Sequence, residues 1–324
     1  MKAAIMVPGA DGGRWDVRDV QRPVVTAGHV LVRVHASSLN RAEFRRLHSM
    51  RARPGQSAPE ARTGGGDAAG EVIEIGRDVT GIKPGDRVMG RCAGGFAEFA
   101  LLDAREVMPA PERLTWEEAA CVPIVFVVVH DALFVSGQLR AGETVLVTAA
   151  PSGVGVATLL LAKFLGARVI GTSRSAAKLE RLKAHGLDSG IVTGGEGFGE
   201  AVSRVVGEKG VDMVVDNIGG DVLAPCLNAL AVGGRFVTIG RMSGVTKGEL
   251  DVDRLAERRL HLYGVSNRCA ARRSGPNRPS GFSPTCCRRS ATAGSGRSST
   301  ARFHSTRLPP LEPGSRPIGM SARS

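Results

Sequence analysis

Two short stretches in the second half of the chain combine residue types and spacings that suit an anionic nucleotide. The first is TAAPSGVGVA at residues 148–157, with Gly153 and Gly155 where an apolar strand turns into a helix. Glycine lets the backbone approach a pyrophosphate, and the free N–H groups of a helix N-terminus attract the anion. The bare pattern is weak, because a strict G-x-G-x-x-G needs glycine at Ala150 and Ser152 as well. A purely structural glycine turn is the alternative, and the flanking strand and helix patterns favour nucleotide binding.

The second stretch, GTSRSAAK at residues 171–178, ends the next predicted strand. A site for NAD usually has Asp or Glu here, to bind the ribose 2′-hydroxyl. This chain has Ser173 and Arg174 instead, with Lys178 one helical turn later. Cationic donors suit a 2′-phosphate, so the stretch predicts NADPH rather than NADH. The alternative is that Arg174 is only a solvated surface charge.

These stretches lie in a segment of alternating strands and helices that begins near Glu143. TVLVTAA, ARVIGTS, IVTG, VDMVVDN and GRFVTIG are predicted strands, and VGVATLLLAKFLG, SAAKLERLKAHG and DVLAPCLNAL are predicted helices. Gly166 is expected to end the first of these helices. Repeated strand–helix units predict a parallel, doubly wound sheet with right-handed crossovers.

The first 110 residues have a different pattern, with short runs that alternate apolar and polar residues between glycines. HVLVRVHASSLN, GEVIEIG and GDRVMG are predicted strands of a β-rich half. The pattern changes at Thr115, which with Glu118 forms a capping box ahead of an apolar run. We therefore predict a helix over residues 115–134.

Eight stretches resemble sequences of one enzyme family and occur in the same order as in that family. They are ASSLNRAEF, GGGDAAGEV, VTGIKPGDRVMG, GGFAEFALL, EEAACVPI, VLVTAAPSGVGVA, VDMVVDNIGG and LAVGGRFVTIG. Together they cover about residues 1–268, and the chain resembles the zinc-independent medium-chain dehydrogenase/reductases of the quinone oxidoreductase and enoyl reductase branch. The resemblance implies an α/β fold with two domains: a GroES-like, β-rich catalytic domain over residues 1–118 and an NADP-binding Rossmann domain, a doubly wound parallel sheet, over residues 119–268. Substrate and nicotinamide would meet between them.

The resemblance also implies which residues form the site. Asn40 would lie near the nicotinamide and donate a hydrogen bond to a substrate oxygen that gains negative charge; its alternative role is to end a strand. The residues expected to bind NADPH are Ser152, Gly153, Val154, Gly155, Ser173, Arg174, Lys178, Asn217, Gly240, Arg241 and Val265.

The chain also departs from the family's usual pattern. Val128 stands where relatives often have Thr. Tyr263 is the only tyrosine in the chain, and the sequence does not identify a proton donor. His48 and His130 are candidates only because histidine as a residue type can change charge near neutral pH, and a surface or packing role is more common for such residues.

No metal site is expected. By resemblance, zinc-dependent relatives have a Cys in the stretch that here is SSLN and a His-Glu pair where this chain has Gly66 and Asp67. The four-cysteine lobe of those relatives is also missing. Hydride transfer would then depend on positioning and hydrogen bonds.

Charge and composition exclude several partners. The net charge of the 324 residues is +12, but residues 269–324 contain ten Arg and a single Glu, which leaves 33 basic and 30 acidic residues in the rest. The sequence therefore predicts no nucleic-acid partner, and the family resemblance implies a small-molecule substrate. The longest apolar stretch, residues 119–129, is too short to span a membrane. Six cysteines without a CxxC motif favour the reducing cytoplasm, and a homodimer is compatible with the sequence.

The last 56 residues differ from the rest of the chain. They contain eleven Ser, ten Arg and seven Pro, which predicts disorder. An arginine-rich arm for nucleic acid is the weaker interpretation. Plausible codons for this segment, translated in another frame, yield a family-like ending, so we infer a frameshift near Cys269. The chain is then either an NADPH-dependent oxidoreductase acting on quinones, enones or related activated carbonyl compounds, or an NADPH-binding protein with little catalysis because its C-terminal return to the catalytic domain is lost.

Overall fold

The computed structural model describes residues 1–51, 57, 59–194 and 197–266. These residues fall into two compact units, the first Met1–Ile124 and the second beginning at Val125. The family-based domain boundary between residues 118 and 119 remains a prediction. The tail over residues 269–324, for which we predict disorder and a frameshift, lies outside the described residues.

The first unit is built from short antiparallel strands. They are β1 (Lys2–Val7), β2 (Arg14–Asp19), β3 (His29–Ala36), β4 (Arg62–Thr63), β5 (Asp67–Ile75), β6 (Arg87–Arg91), β7 (Phe99–Asp103) and β8 (Met108–Pro109). One sheet has the order β2-β1-β4 and the other β7-β3-β5-β6-β8. Val30, Val32, Val72 and Leu102 are fully buried between their neighbours. The expected β-rich first half is therefore confirmed.

Among its described residues, the first unit also contains two helices. The first, α1 (Arg41–Ser49), begins directly after Asn40. The second, α2 (Trp116–Ala120), begins with the predicted capping box, in which Thr115 and Glu118 each accept a hydrogen bond from the other's backbone N–H.

The helix predicted over residues 115–134 is present, but it is interrupted. The segment breaks after α2, continues as α3 (Pro123–His130) and then widens into a π-helix over Asp131–Ser136. Proline has no N–H for an upstream carbonyl, and its ring crowds the preceding turn. Pro123 therefore starts a new helix, where a missing N–H has no effect.

The second unit is a six-stranded parallel sheet flanked by helices. Its strands are β9 (Thr144–Val147), β10 (Arg168–Ser173), β11 (Ser189–Val192), β12 (Val211–Asp216), β13 (Leu230–Thr238) and β14 (His261–Gly264). Its further helices are α4 (Gly153–Leu165), α5 (Ala176–Lys183), α6 (Phe198–Val206), α7 (Leu223–Asn228) and α8 (Val252–Glu257), with a 3₁₀ turn at Gly220–Val222. Within the described ranges, no helix combines the length and the apolar character needed to cross a bilayer.

The strand order is β11-β10-β9-β12-β13-β14, with every neighbouring pair parallel. Numbered from β9, this is the 3-2-1-4-5-6 order of dinucleotide-binding sheets, and the order reverses between β9 and β12. Both faces of β9 are covered, so Val145, Leu146 and Val147 are all 0% exposed. This burial explains why the strand is a continuous apolar run. The predicted doubly wound sheet is confirmed.

Candidate cofactor and active site

The turn between β9 and α4 presents a helix N-terminus at the carboxyl edge of the sheet. Ser152 is the N-cap of α4, and its hydroxyl accepts the N–H of Gly155 at 3.1 Å. Gly153 and Val154 belong to the first turn, where no earlier helical carbonyl is available to their N–H groups. These groups and the helix dipole suit an anion such as a pyrophosphate.

The two glycines of this turn have different surroundings. A Cβ on Gly155 would lie 2.3 Å from the Ala150 carbonyl oxygen, so the helix packs against the turn at backbone distance. A Cβ on Gly153 would meet only Val125 Cγ2, at 3.8 Å. Gly155 is therefore required by the protein's own packing, whereas Gly153 leaves open space beside the helix N-terminus. That open space fits a bound nucleotide.

The turn itself contains a strained residue. Ala149 has a φ of +48°, a left-handed conformation that costs an L-residue about 1–2 kcal/mol. Its N–H donates to Thr172 Oγ1 at 3.3 Å, and the N–H of Ala150 donates to the Thr172 carbonyl at 2.9 Å. The end of β10 thus holds one side of the turn.

Polar and cationic groups follow β10. The Ser173 hydroxyl accepts the N–H of Ser175 at 3.1 Å, and Ser175 in turn caps α5. Arg174 and Lys178 are both exposed, and neither forms an ion pair with another residue in the described ranges. No carboxylate follows the strand directly, so the local charge suits an added phosphate.

The remaining cofactor residues follow β12, β13 and β14. Asn217 is buried, and its Nδ2 donates to the Thr148 carbonyl at 2.9 Å. Gly240 and Arg241 come after β13, and Arg241 is exposed. The Val265 side chain is packed in the core, so only its backbone remains for a ligand. All eleven predicted cofactor residues thus lie at or after the carboxyl ends of parallel strands, where doubly wound sheets bind ligands.

Asn40 lies in the first unit, at the N-cap position of α1, but its side chain does not cap the helix. Its Nδ2 donates to Ser38 Oγ at 2.8 Å and to Asp67 Oδ2 at 3.2 Å. Asp67 is fully buried and also accepts both the N–H and the hydroxyl of Ser38. Donation from Asn40 to a substrate oxygen therefore requires the loss of one of these two bonds.

A second buried carboxyl lies beside this group. Glu43 is 1% exposed, and its Oε2 has no hydrogen-bond partner among the described residues. Burial raises the pKa of Glu43, while its own N–H and Arg46 act in the opposite direction. Burial and the charges of Asp67 and Glu43 raise the pKa of the Cys92 thiol to about 12.

The donor set around Asp67 does not fit zinc. Asn40 and Gly66 offer neither thiolate nor imidazole, the Asp67 oxygens already accept three hydrogen bonds from Ser38 and Asn40, and the Cys92 thiol is protonated at neutral pH. Within the described ranges, no three His, Cys, Asp or Glu side chains group as metal ligands.

The other residues named from the sequence are spread over both units. Val128 is buried on α3, and His48 is exposed on α1. Burial lowers the pKa of His130, which favours its neutral form. Tyr263 is half-buried on β14. None of these residues gains a catalytic role from its position.

Sequence reasoning missed the polar residues that tie the sheet together at the strand ends. Thr148 and Asp216 are buried and hydrogen-bonded to each other at 2.8 Å, although they are 68 positions apart in the chain. A signal was present, because each is a polar residue at the end of a continuous apolar strand. The pairing of the two strands could not be read from that signal.

Comparison with known proteins places this architecture in a family. Residues 26–112 match the alcohol dehydrogenase GroES-like domain, and residues 153–274 match the domain described as zinc-binding dehydrogenase. Quinone oxidoreductase of Rattus norvegicus is 33% identical over 225 residues, which are 68% of this chain and 67% of that protein. The chain belongs to the medium-chain dehydrogenase/reductase family. Its membership and α/β fold, expected from the sequence motifs, are confirmed.

Other members of the family are also similar. The spectinabilin polyketide synthase system protein NorB of Streptomyces orinoci is 39% identical over 214 residues, 66% of this chain. The match spans only 9% of that much longer protein. A mycobacterial protein solved in complex with NADPH is 27% identical, with a TM-score of 0.70 over 81% of this chain and 80% of its own.

Proposed function

We propose that this chain is an NADPH-dependent oxidoreductase that transfers hydride to a quinone, an enone or a related activated carbonyl compound, without a metal ion. The observation that carries the proposal is the pair of exposed cations, Arg174 and Lys178, beyond β10 of a 3-2-1-4-5-6 sheet. This position is next to the ribose in such sheets, and cations there favour a 2′-phosphate over a hydroxyl. The NADPH complex of the mycobacterial relative supports the same cofactor.

The N-terminus of α4 would hold the pyrophosphate, with Gly153 leaving room for its approach. Bound NADPH would supply the hydride. Asn40 would steady the acceptor oxygen by donating to it from Nδ2, in place of one of the present bonds from Nδ2 to Ser38 and Asp67. The quinone oxidoreductase and polyketide synthase relatives support an acceptor with an activated carbonyl. That this chain acts on such acceptors, and that it lies in the cytoplasm, are parts of the proposal.

A second candidate is an NADPH-binding protein with little or no catalysis. The abrupt change of composition at Cys269 favours it, because the family-like motifs stop at about residue 268. A nucleotide site built from residues up to Val265 would bind NADPH even if turnover is lost.

The test is turnover of a panel of quinones, enones and alcohols, each with NADPH and with NADH, together with direct measurement of nucleotide binding. We expect reduction of quinones or enones that is faster with NADPH. Tight NADPH binding without turnover of any acceptor would favour the second candidate. Oxidation of alcohols with NAD, or binding of neither nucleotide, would contradict both.

A further inference from the structure

We infer that Thr148, Asp216 and Asn217 form a latch at the switch point of the sheet, and that this latch holds the nucleotide-binding turn in the shape that binds a dinucleotide. Thr148 and Asp216 act by positioning the turn, and Asn217, which is also a predicted cofactor residue, joins them through its N–H and its Nδ2. The inference rests on the proposed function, since it assigns positioning residues to the proposed nucleotide site.

The latch joins the ends of two strands that are adjacent only after folding. The Thr148 hydroxyl donates to Asp216 Oδ1 at 2.8 Å and accepts the Asn217 N–H at 2.7 Å. The Asn217 Nδ2 donates to the Thr148 carbonyl at 2.9 Å. Thr148 is 0% exposed, Asp216 1% and Asn217 2%, so water does not compete for these bonds.

Asp216 also organises the loop that follows β12. Its Oδ1 accepts the N–H of Ile218 at 3.0 Å, and its Oδ2 accepts the N–H of Gly219 at 3.1 Å. Every one of these partners is a donor, which suits a carboxylate. One buried side chain therefore sets both the β12 loop and, through Thr148, the start of the turn after β9.

The turn needs such a restraint because Ala149, the residue after Thr148, is left-handed at φ +48°. A strained conformation persists only when its surroundings over-determine it. Thr172 holds the turn from the β10 side through the N–H groups of Ala149 and Ala150, and the latch holds it from the β12 side. The strained residue is thus fixed between the two strands that flank β9.

The position of this turn sets the anion site at the start of α4. The N–H of Ser152 donates to the Ala149 carbonyl at 2.9 Å, and Gly155 packs on the Ala150 carbonyl. A relaxed Ala149 would shift both contacts and move the first-turn N–H groups away from the pyrophosphate. Loss of the latch should therefore weaken the binding of NADPH and of NADH by the same factor, since both carry the pyrophosphate.

The experiment replaces the Thr148 hydroxyl by a methyl group of nearly equal size. Thr148→Val is compared with Thr148→Ser, which keeps the hydroxyl, and with Thr158→Val as the matched control. Thr158 is also 0% exposed, and its hydroxyl donates to the Val154 carbonyl within α4, so its removal breaks no bond between strand ends. Dissociation constants for NADPH and NADH are measured on folded protein, and the thermal midpoint of each variant is recorded.

We expect Thr148→Val to raise both dissociation constants by about tenfold with their ratio unchanged, the size of one lost buried hydrogen bond with its partner left unsatisfied. Thr148→Ser should recover most of the affinity. Thr158→Val should lower the thermal midpoint but leave both constants within about twofold of wild type.

Unchanged affinity in Thr148→Val, or an equal loss in Thr158→Val, overturns the latch and leaves the proposed function intact. A loss confined to NADPH also overturns it, because that result would place the effect at the 2′-phosphate. Wild-type protein that binds neither nucleotide overturns the proposed function and the latch together.

Discussion

The guanidinium of Arg174 is exposed beyond the end of β10, and the four-carbon stem of Lys178 begins one helical turn later. An exposed charge is only a solvated group unless a ligand phosphate meets it. The same side chain is thus either a determinant of cofactor choice or neutral for binding. The two alternatives predict different ratios of NADPH affinity to NADH affinity when Arg174 is substituted.

Arg174→Ala should weaken NADPH by about tenfold or more and change NADH little, because a charge-assisted hydrogen bond to the 2′-phosphate is lost. Fluorescence titration with both nucleotides measures the ratio. Arg181→Ala is the control, since Arg181 is an exposed arginine in the last turn of α5, the helix that follows Arg174. Equal loss for both nucleotides in Arg174→Ala would reject the 2′-phosphate assignment.

Glu43 gives a prediction about pH. Burial raises its pKa, so the folded state holds the proton more tightly than the unfolded state. Its contribution to stability is full below the ordinary glutamate range and is lost as the pH rises through the raised pKa. Glu43→Gln should therefore flatten the fall of the thermal midpoint as the pH rises above the ordinary glutamate range. Asp67 and Asp216, whose pKa values burial also raises, still contribute in both proteins.

The control for this series is Glu74→Gln, because Glu74 is exposed on β5. That variant should follow the wild-type pH profile. If the Glu43→Gln profile has the wild-type slope, ionisation of the Glu43 carboxyl does not destabilise the fold in this pH range, and the prediction is wrong.

At the scale of elements, the start of α4 combines a packing requirement and a binding requirement in two glycines. Gly155 has the Ala150 carbonyl against its Cα, whereas Gly153 has open space. The sequence pattern alone does not distinguish the roles of the two glycines. Their surroundings separate them, and a pair of alanine variants makes the difference measurable.

Gly155→Ala should destabilise the protein without nucleotide by about 1–3 kcal/mol, because the new methyl group overlaps the Ala150 carbonyl. Gly153→Ala should leave that stability unchanged or slightly raised, since alanine favours helix, yet it should weaken NADPH by filling the space beside the pyrophosphate. Urea unfolding and nucleotide titration of both variants provide the test. Equal unfolding free energies for the two variants would contradict the packing difference.

At the scale of the whole molecule, the chain carries the family's two folds without the donor set of its zinc-dependent members. The domain matched over residues 153–274 is described as zinc-binding, but the positions compared with zinc ligands lie in the other unit, in the stretch SSLN and at Gly66 and Asp67. The buried Asp67 there is satisfied by Ser38 and Asn40 instead of a cation.

We expect activity to be independent of metal ions. Prolonged treatment with a chelator should leave the rate of quinone reduction unchanged, and elemental analysis should find no stoichiometric zinc. Zinc that copurifies at one ion per chain and is needed for turnover would refute this expectation.

Much of the second unit was predictable from the sequence because local rules decide it. The continuous apolar run TVLVTAA predicted β9, and Gly166 ended α4 as expected, with a φ of +89°. In the first unit, the Thr115–Glu118 capping box also formed as predicted. Helices α1, α6 and α8 were not predicted. They are short, at six to nine residues, and partly exposed.

The sequence by itself determined the fold class, the helix N-terminus at Gly153 and the cations after β10, since each depends on neighbours within a few positions. Only the tertiary structure decided that Thr148 meets Asp216, that Asn40 bonds to Asp67, and that Glu43 is buried without a partner for Oε2 among the described residues. These contacts join residues separated by tens of positions or depend on what surrounds a side chain. Strand order and burial set them, and a local pattern contains neither.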